Sequence, residues 1–238
     1  MFEDRDYINV KNWLFDKLKF GDLSYGDELY FKKEFKRARI PEGEILEIGY
    51  GNGNFLSFCK KNNLKVVGYE LNSILTQSAK QKGFNVLDNN EIKSFYKSNQ
   101  NKIAGVFMFD VIEHLSFEEL KELFENLKNK LITGGKIVCR FPNGDSSLSL
   151  PYYNGDFTHK SYLGYNKLKY LSQITGLSFK TFSPSKVYFN YKLPIRSLYL
   201  ILTEPIRLSI KFFIKYLYNP TDNVIVLEKN LVCIFTKI

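Results

Sequence analysis

The sequence predicts a doubly wound α/β fold built on a mostly parallel, seven-stranded sheet. Three observations carry this. Strand and helix signals alternate from residue 44 to about 183, a glycine-rich turn follows the first strand, and a late apolar run at 230–237 supplies a strand after a helical detour. Strands separated by helices of ten or so residues imply right-handed crossovers, and hence parallel neighbours.

Each element has its own signal. Residues 44–48 (EILEI) form a short apolar run ending in glycines, and 54–61 place Phe55, Leu56, Phe58 and Cys59 at helical spacing. Residues 65–69 read as the second strand. Asn72 is a good N-cap for a helix through Lys82 that closes at Gly83. The third strand is 85–87 and the fourth 104–109. Ser116 and Glu119 form a capping box that opens a helix through Leu120, Phe124, Leu127 and Leu131, with Gly134-Gly135 as its stop. The fifth strand is 136–140, a helix covers 165–174, and the sixth strand is 177–182. Two helical segments flank this core. One, 7–38, is expected as a lid or docking layer over the sheet's open edge. The other, 194–218, is apolar and expected to break at Thr203-Glu204-Pro205. The chain thus divides into an N-terminal cap (1–40), a core (41–183), and a helical insertion with the last strand (184–238).

Composition narrows the function. With 238 residues, 44% apolar and 25% charged, the chain is globular in kind. Folding a chain of this size buries roughly 70–75% of its extended surface, so a core needs no covalent staples. Cys59, Cys139 and Cys233 are odd in number and far apart, which excludes a disulfide framework or zinc knuckle and suits a reducing compartment. No secretory h-region and no run of 18 uncharged apolar residues is present, so a cytoplasmic location is expected. The net charge of +9 is uneven: residues 184–238 hold 8 basic and 3 acidic groups and so carry +5 of it. The nearly balanced middle argues against nucleic acid as a partner.

The sharpest motif is Glu47-Ile48-Gly49-Tyr50-Gly51-Asn52-Gly53, between the first strand and its helix. Glycine at alternate positions lets the backbone turn tightly and a ligand approach closely. Asn54 stands where a dinucleotide fingerprint wants a third, packing glycine, which disfavours a nicotinamide oxidoreductase. Glu70 ends the second strand, where a carboxylate can accept both hydroxyls of a ribose.

With MFDVIEHL at 108–115, these residues make the chain resemble the class I S-adenosylmethionine-dependent methyltransferases over roughly residues 40–183. The resemblance implies a Rossmann-like fold and S-adenosylmethionine as cofactor. It places Glu47, Gly49, Tyr50, Gly51 and Gly53 at the methionyl end, Glu70 at the ribose, Asp88 at the adenine amine, and Phe109 and Asp110 along the methionyl side, with Leu71 also among the cofactor-binding residues. Two departures stand out. Ala104-Gly105 replace an acidic residue that often opens the fourth strand, and Tyr50 is bulkier than usual.

For the acceptor, only two histidines offer a base of suitable pKa, His114 and His159. His159 lies in PYYNGDFTH (151–159), where Asp156 is expected to orient it as the catalytic base. Alternatively Asp156 caps a helix whose exposed first turn carries His159. Together with FPNGDS at 141–146, that loop looks like methyltransferases of bacterial surface-glycan assembly, which implies a saccharide hydroxyl as acceptor. A quinone or aromatic acceptor, and an inactive cofactor-binding partner protein, are the alternatives. His114, Asn143, Tyr152 and Tyr153 are expected to line the acceptor site. No metal is expected, because no HxxxH, no HxE and no clustered third ligand is visible. In the segment after Pro205, Arg207, Lys211 and Lys215 form a basic stripe amid apolar residues. It reads either as a helix packed on the sheet or as a peripheral contact of 205–218 with an anionic membrane.

Overall fold

The computed structural model describes residues 20–98, 102–218 and 224–238. In chain order its elements are α1 (Tyr25–Ala38), β1 (Glu44–Ile48), α2 (Asn54–Lys61), β2 (Val66–Tyr69), α3 (Ser73–Gln81), β3 (Val86–Leu87), α4 (Asn89–Lys97), β4 (Ile103–Phe109), α5 (Phe117–Lys130), β5 (Leu131–Pro142), α6 (Leu150–Asn154), α7 (Tyr165–Thr175), β6 (Ser178–Phe182), α8 (Pro194–Tyr218) and β7 (Asn230–Thr236). The part of the expected first helix before residue 20 lies outside the described residues.

The sheet order is β3-β2-β1-β4-β5-β7-β6. All pairs are parallel except those of β7, which runs antiparallel to both β5 and β6. β7 reads NLVCIFT with five consecutive buried residues, as a strand covered on both faces should. The chain builds outward from β1 to β3, then crosses back to place β4 on β1's other side. That reversal opens a crevice at the carboxyl ends of β1 and β4, where open α/β sheets bind ligands.

Two apolar layers hold the sheet. On one face α5 and α7 bring Leu120, Phe124, Leu127, Leu168 and Leu171 against Val106, Met108, Ile137 and Phe235. On the other face α1 and α2 pack phenylalanines on the sheet. Phe55 lies 4.5 Å from Phe107 between ring centroids, and Phe35 stacks on Phe107 at 5.9 Å. α1 therefore covers the middle of a sheet face, not an open edge as expected. Its Phe31, Phe35 and Ala38 find their apolar partners there.

Three other expectations change. α4 has no counterpart in the reading above, because only Ile92 of its nine residues is buried and the apolar period is faint. Its signal is polar: Asp88 and Glu91 form a capping box. The long loop after β5 contains a 3₁₀ turn (Ser147–Ser149) and α6. Finally α8 runs unbroken through Pro205. A mid-helix proline leaves one carbonyl without its N–H partner, and here that carbonyl belongs to half-exposed Ile201, where water reaches it.

Candidate active site

The crevice is a cleft of about 1080 Å³ with two unlike halves. The donor half begins at Glu47, at the end of β1. Gly49, Gly51 and Gly53 all have positive φ, at 70°, 49° and 73°, so the turn is left-handed at every second residue. Packing fixes two of them further. A Cβ on Gly49 would fall 2.5 Å from Val111 Cγ2, and one on Gly53 2.5 Å from Phe20 Cε1. Tyr50, between them, turns its ring away from the cleft toward Leu75, Ala79 and Val86, and its hydroxyl meets Thr76 Oγ1 at 3.3 Å. Its bulk therefore does not fill the cleft.

Two carboxylates mark this half. Glu70 Oε2 accepts the Gly51 N–H and Oε1 the Asn72 N–H, both at 3.1 Å, so this one side chain joins the glycine turn to the start of α3. Glu47 is buried, and its Oε2 has no hydrogen-bond partner among the described residues. Burial first, and the neighbouring Glu70 charge second, push its pKa well above the usual carboxylate range. A buried acceptor lining a cleft, held at such cost, asks for a cationic ligand group. The ammonium of a methionyl moiety is one, so the residues present fit S-adenosylmethionine.

At the far wall β4 ends in Phe109 and Asp110. Asp110 adopts φ +57° and donates its N–H to Arg140 O at 2.7 Å, while its carboxylate is ion-paired to the Arg140 guanidinium. That guanidinium lies over the rings of Tyr30 and Phe109, 5.5 and 5.3 Å from their centroids. Burial, offset in part by Arg140, raises the Tyr30 phenol to about 12. Leu71 is exposed at the cleft mouth. Asp88 is outside the cleft, in an adjoining hollow, where its carboxylate accepts the N–H groups of Asn90 and Glu91 and pairs with Lys80.

The acceptor half is assembled from the 3₁₀ turn Ile112–His114 and the loop after α6. The backbone oxygen of Glu113 accepts N–H bonds from Lys160 and Ser161, at 2.9 and 3.0 Å, which clamps that loop to the turn. The clamp brings the His114 and His159 rings to 4.7 Å. His114 and Thr158 line the cleft, and Thr158 Oγ1 sits 2.8 Å from His114 Nδ1. The same hydroxyl donates to Asp156 Oδ1. A hydroxyl has one proton, and the carboxylate is the stronger acceptor. Nδ1 of His114 must then be the donor toward Thr158, which leaves the imidazole lone pair on Nε2.

His159 does not occupy the position expected of a base. Its side chain is only 8% exposed and it is not part of the cleft wall. Asp156 approaches it at 3.9 Å, outside hydrogen-bond range, and spends its closer contacts on the backbone and hydroxyl of Thr158. No helix begins at Asp156 either. Three expected acceptor residues are structural. Asn143 is fully buried and ties its loop to the carbonyl oxygens of Ile225 and Glu228. Tyr153 is buried, accepts the Leu163 N–H at 3.2 Å and sets its ring edge-on to His159. Tyr152 lies outside the cleft, its hydroxyl accepting from Lys229. The expectation that no third ligand clusters with the histidines is also overturned: Glu113, His114 and His159 offer ligand atoms all within 4.8 Å of one another. Thr158 and Arg140 were missed. Only Thr158 had a visible signal, its place between Asp156 and His159.

The model of the methyltransferase domain family matches residues 27–180, more than half of the chain. No curated protein matches the sequence significantly. Among solved structures, a SAM-dependent methyltransferase from Archaeoglobus fulgidus superposes with a TM-score of 0.63 at 23% identity, covering 95% of this chain and 99% of that one. A possible histamine N-methyltransferase from Thermotoga maritima gives 0.59 at 16% identity, with 99% and 97% coverage. The plantazolicin methyltransferase BpumL, in complex with SAH, gives 0.56 at 16%, with 98% and 91% coverage. The chain belongs to the methyltransferase domain family, and its sheet order, glycine turn and acidic pair make it a class I S-adenosylmethionine-dependent enzyme.

Proposed function

We propose that this methyltransferase acts on a hydroxyl group, and that the hydroxyl belongs to a saccharide of the kind joined into bacterial surface glycans. The observation that carries the hydroxyl is the line Asp156–Thr158–His114 on the cleft wall. A neutral amine attacks a methyl group without help, whereas a hydroxyl must shed its proton as it attacks. Bound S-adenosylmethionine supplies an electrophilic methyl carbon on a sulfonium sulfur. The protein's own residues do the rest. Glu47 and the glycine turn hold the methionyl end, Glu70 meets the ribose, and the Arg140–Asp110 pair closes the wall beside Phe109. His114 presents the Nε2 lone pair that receives positive charge, in the simplest case the acceptor's proton. Asp156, acting through Thr158, stabilises that charge. Alignment in such a site supplies about 7–11 kcal/mol of barrier reduction, and proton removal about 10²–10⁴-fold more.

The saccharide is supported by the PNGDS and NGDFTH segments and by Glu119, Glu122 and Asn126, which α5 sets on the cleft wall. Carboxylates and an amide suit a ligand rich in hydroxyls. The test is incubation with a panel of sugar nucleotides, phenols and amines and a labelled methyl donor, with the methylated atom located by NMR. An O-methyl sugar is expected. A methylated nitrogen overturns the reading.

We propose further that α8 rests on an anionic membrane surface. Among its described side chains only Ser197 is buried, while Ile195, Leu202, Phe212, Tyr216 and Leu217 are more than 60% exposed. No described helix is long and apolar enough to cross a membrane. Two members of the basic stripe are engaged within the protein, Arg207 with Glu204 and Lys211 with Glu228. Lys192 and Arg196 near one end of the helix are exposed, and flank the apolar surface as headgroup anchors would. Flotation with anionic vesicles is expected. Absence of flotation together with concentration-dependent dimers would assign the surface to a second copy instead.

A further inference from the structure

We propose that Glu113, His114 and His159 form a binding site for one divalent cation, opening onto the acceptor half of the cleft. The inference rests on the hydroxyl reading above and deepens it, by naming what draws the proton from the acceptor. Three observations converge. The ligand atoms of the three residues lie within 4.8 Å of one another, close enough for small side-chain rotations to bring them onto one ion. His159, with only 8% of its side chain exposed, has its Nδ1 buried with no hydrogen-bond partner among the described residues. A buried imidazole nitrogen without a partner is costly unless something absent from the protein itself engages it. The third observation is the surrounding support.

That support is what ligating histidines require. A metal-bound imidazole is oriented by a second group on its other nitrogen, commonly a carboxylate. Asp156 supports one ring and faces the other across a longer gap. One oxygen reaches His114 Nδ1 through the Thr158 hydroxyl, and the other lies 3.9 Å from His159 Nε2. His159 would ligate through its unpartnered Nδ1, and His114 through the ring nitrogen opposite its Thr158 contact. The His159 ring is held by Tyr153, 5.5 Å away and edge-on. Glu113, only 1% exposed, brings the anionic ligand, and its backbone clamps the His159 loop in place. The three ligands are thus gathered in one place before any ion arrives.

Two imidazoles and one carboxylate suit Mn²⁺, Fe²⁺, Co²⁺ or Zn²⁺ better than Ca²⁺, and three protein ligands leave positions open. The cleft side, marked by His114 and Thr158, is where an acceptor oxygen would fill one. Coordination lowers the pKa of the hydroxyl, whose proton leaves to solvent. The oxygen then forms its bond to the methyl carbon as the carbon–sulfur bond breaks, with that electron pair staying on sulfur. No redox change is involved, and His114 acts as ligand in place of base.

Isothermal titration of the full chain with Zn²⁺ and separately with Mn²⁺ tests the site. One equivalent is expected to bind, at least tenfold more weakly in His159→Asn and in Glu113→Gln. Binding of S-adenosylhomocysteine reports whether each variant is folded. Should Glu113→Gln fail that check, His159→Asn decides alone, and should both fail, the Co²⁺ form of the wild type decides by whether its visible absorption shows nitrogen ligation. Chelation is expected to cut turnover about 10–100-fold, restored by the metal. Absence of saturable binding, or undiminished binding in His159→Asn, overturns the cation. If no cation binds and the product is an O-methyl ether, the hydroxyl reading stands with His114 as base. If the product is methylated on nitrogen, that reading falls whatever the titration shows.

Discussion

The two halves of the cleft are built on opposite plans. The donor half comes almost entirely from one stretch, the end of β1 and the end of β2, with its glycine turn between. Its geometry is local: each positive φ is the property of one residue, and Glu70 closes the unit with two hydrogen bonds to backbone nearby. The acceptor half joins His114 to Thr158, 44 positions apart, through a clamp on the Glu113 carbonyl. A site made by one turn survives changes elsewhere in the fold. A site made by docking two loops depends on everything that docks them.

The largest effect is expected at the docked half. His114→Ala should lower kcat by about 10²–10⁴-fold while leaving S-adenosylhomocysteine affinity intact, since the residue acts on the acceptor. A matching loss of cofactor affinity would show that the halves are not separable. Asp156→Asn should cost less, about 10–100-fold, because it weakens support and leaves both rings. Its loss should appear in kcat more than in the KM for the cofactor.

At the local half, Glu70→Ala should weaken S-adenosylhomocysteine binding by about 10–100-fold, the worth of a charge-assisted hydrogen bond, and lower the melting temperature of the free protein, because the Gly51 and Asn72 N–H groups lose their acceptor. Unchanged affinity would remove Glu70 from the site. Glu47→Gln should weaken binding as well, yet raise the melting temperature of the free protein. The folded state holds Glu47's proton more tightly than the unfolded chain does. Its contribution to stability is therefore greatest below the ordinary carboxylate pKa and falls as pH rises toward the raised value. The gap in melting temperature between Glu47→Gln and wild type should widen from pH 5 to pH 8, and a constant gap would mean Glu47 has a partner when free. The smallest effect is expected for Tyr153→Phe, which loses the bonds to Leu163 and Pro142 but keeps the ring against His159. It should destabilise by about 1–3 kcal/mol, measured by denaturant, with a modest fall in kcat.

The strands and most helices were legible because their apolar residues recur with the period of the element, as in α5, where Leu120, Phe124 and Leu127 are all buried. α4 escaped because its evidence was a polar capping box, and one buried isoleucine cannot establish a period. The continuity of α8 escaped because a proline reads as a break in sequence, while an exposed helix can leave one carbonyl to water. Along the cleft, the conformation of the glycine turn and the place of Glu47 and Glu70 beside it were readable because they form a local unit. Asn143, Tyr152 and Tyr153 were misread because a loop rich in polar and aromatic residues does not reveal which side chains turn inward as props.

The sequence by itself determined the fold class, the glycine turn and the family, since each rests on short-range pattern: period, capping and glycine spacing. Only the tertiary structure decided which histidine lines the cleft. His114 and His159 are equivalent in sequence, two imidazoles each following a strand. The bonds from Lys160 and Ser161 to Glu113 place one on the cleft wall and bury the other behind it, and contacts between residues so far apart leave no periodic trace in the chain.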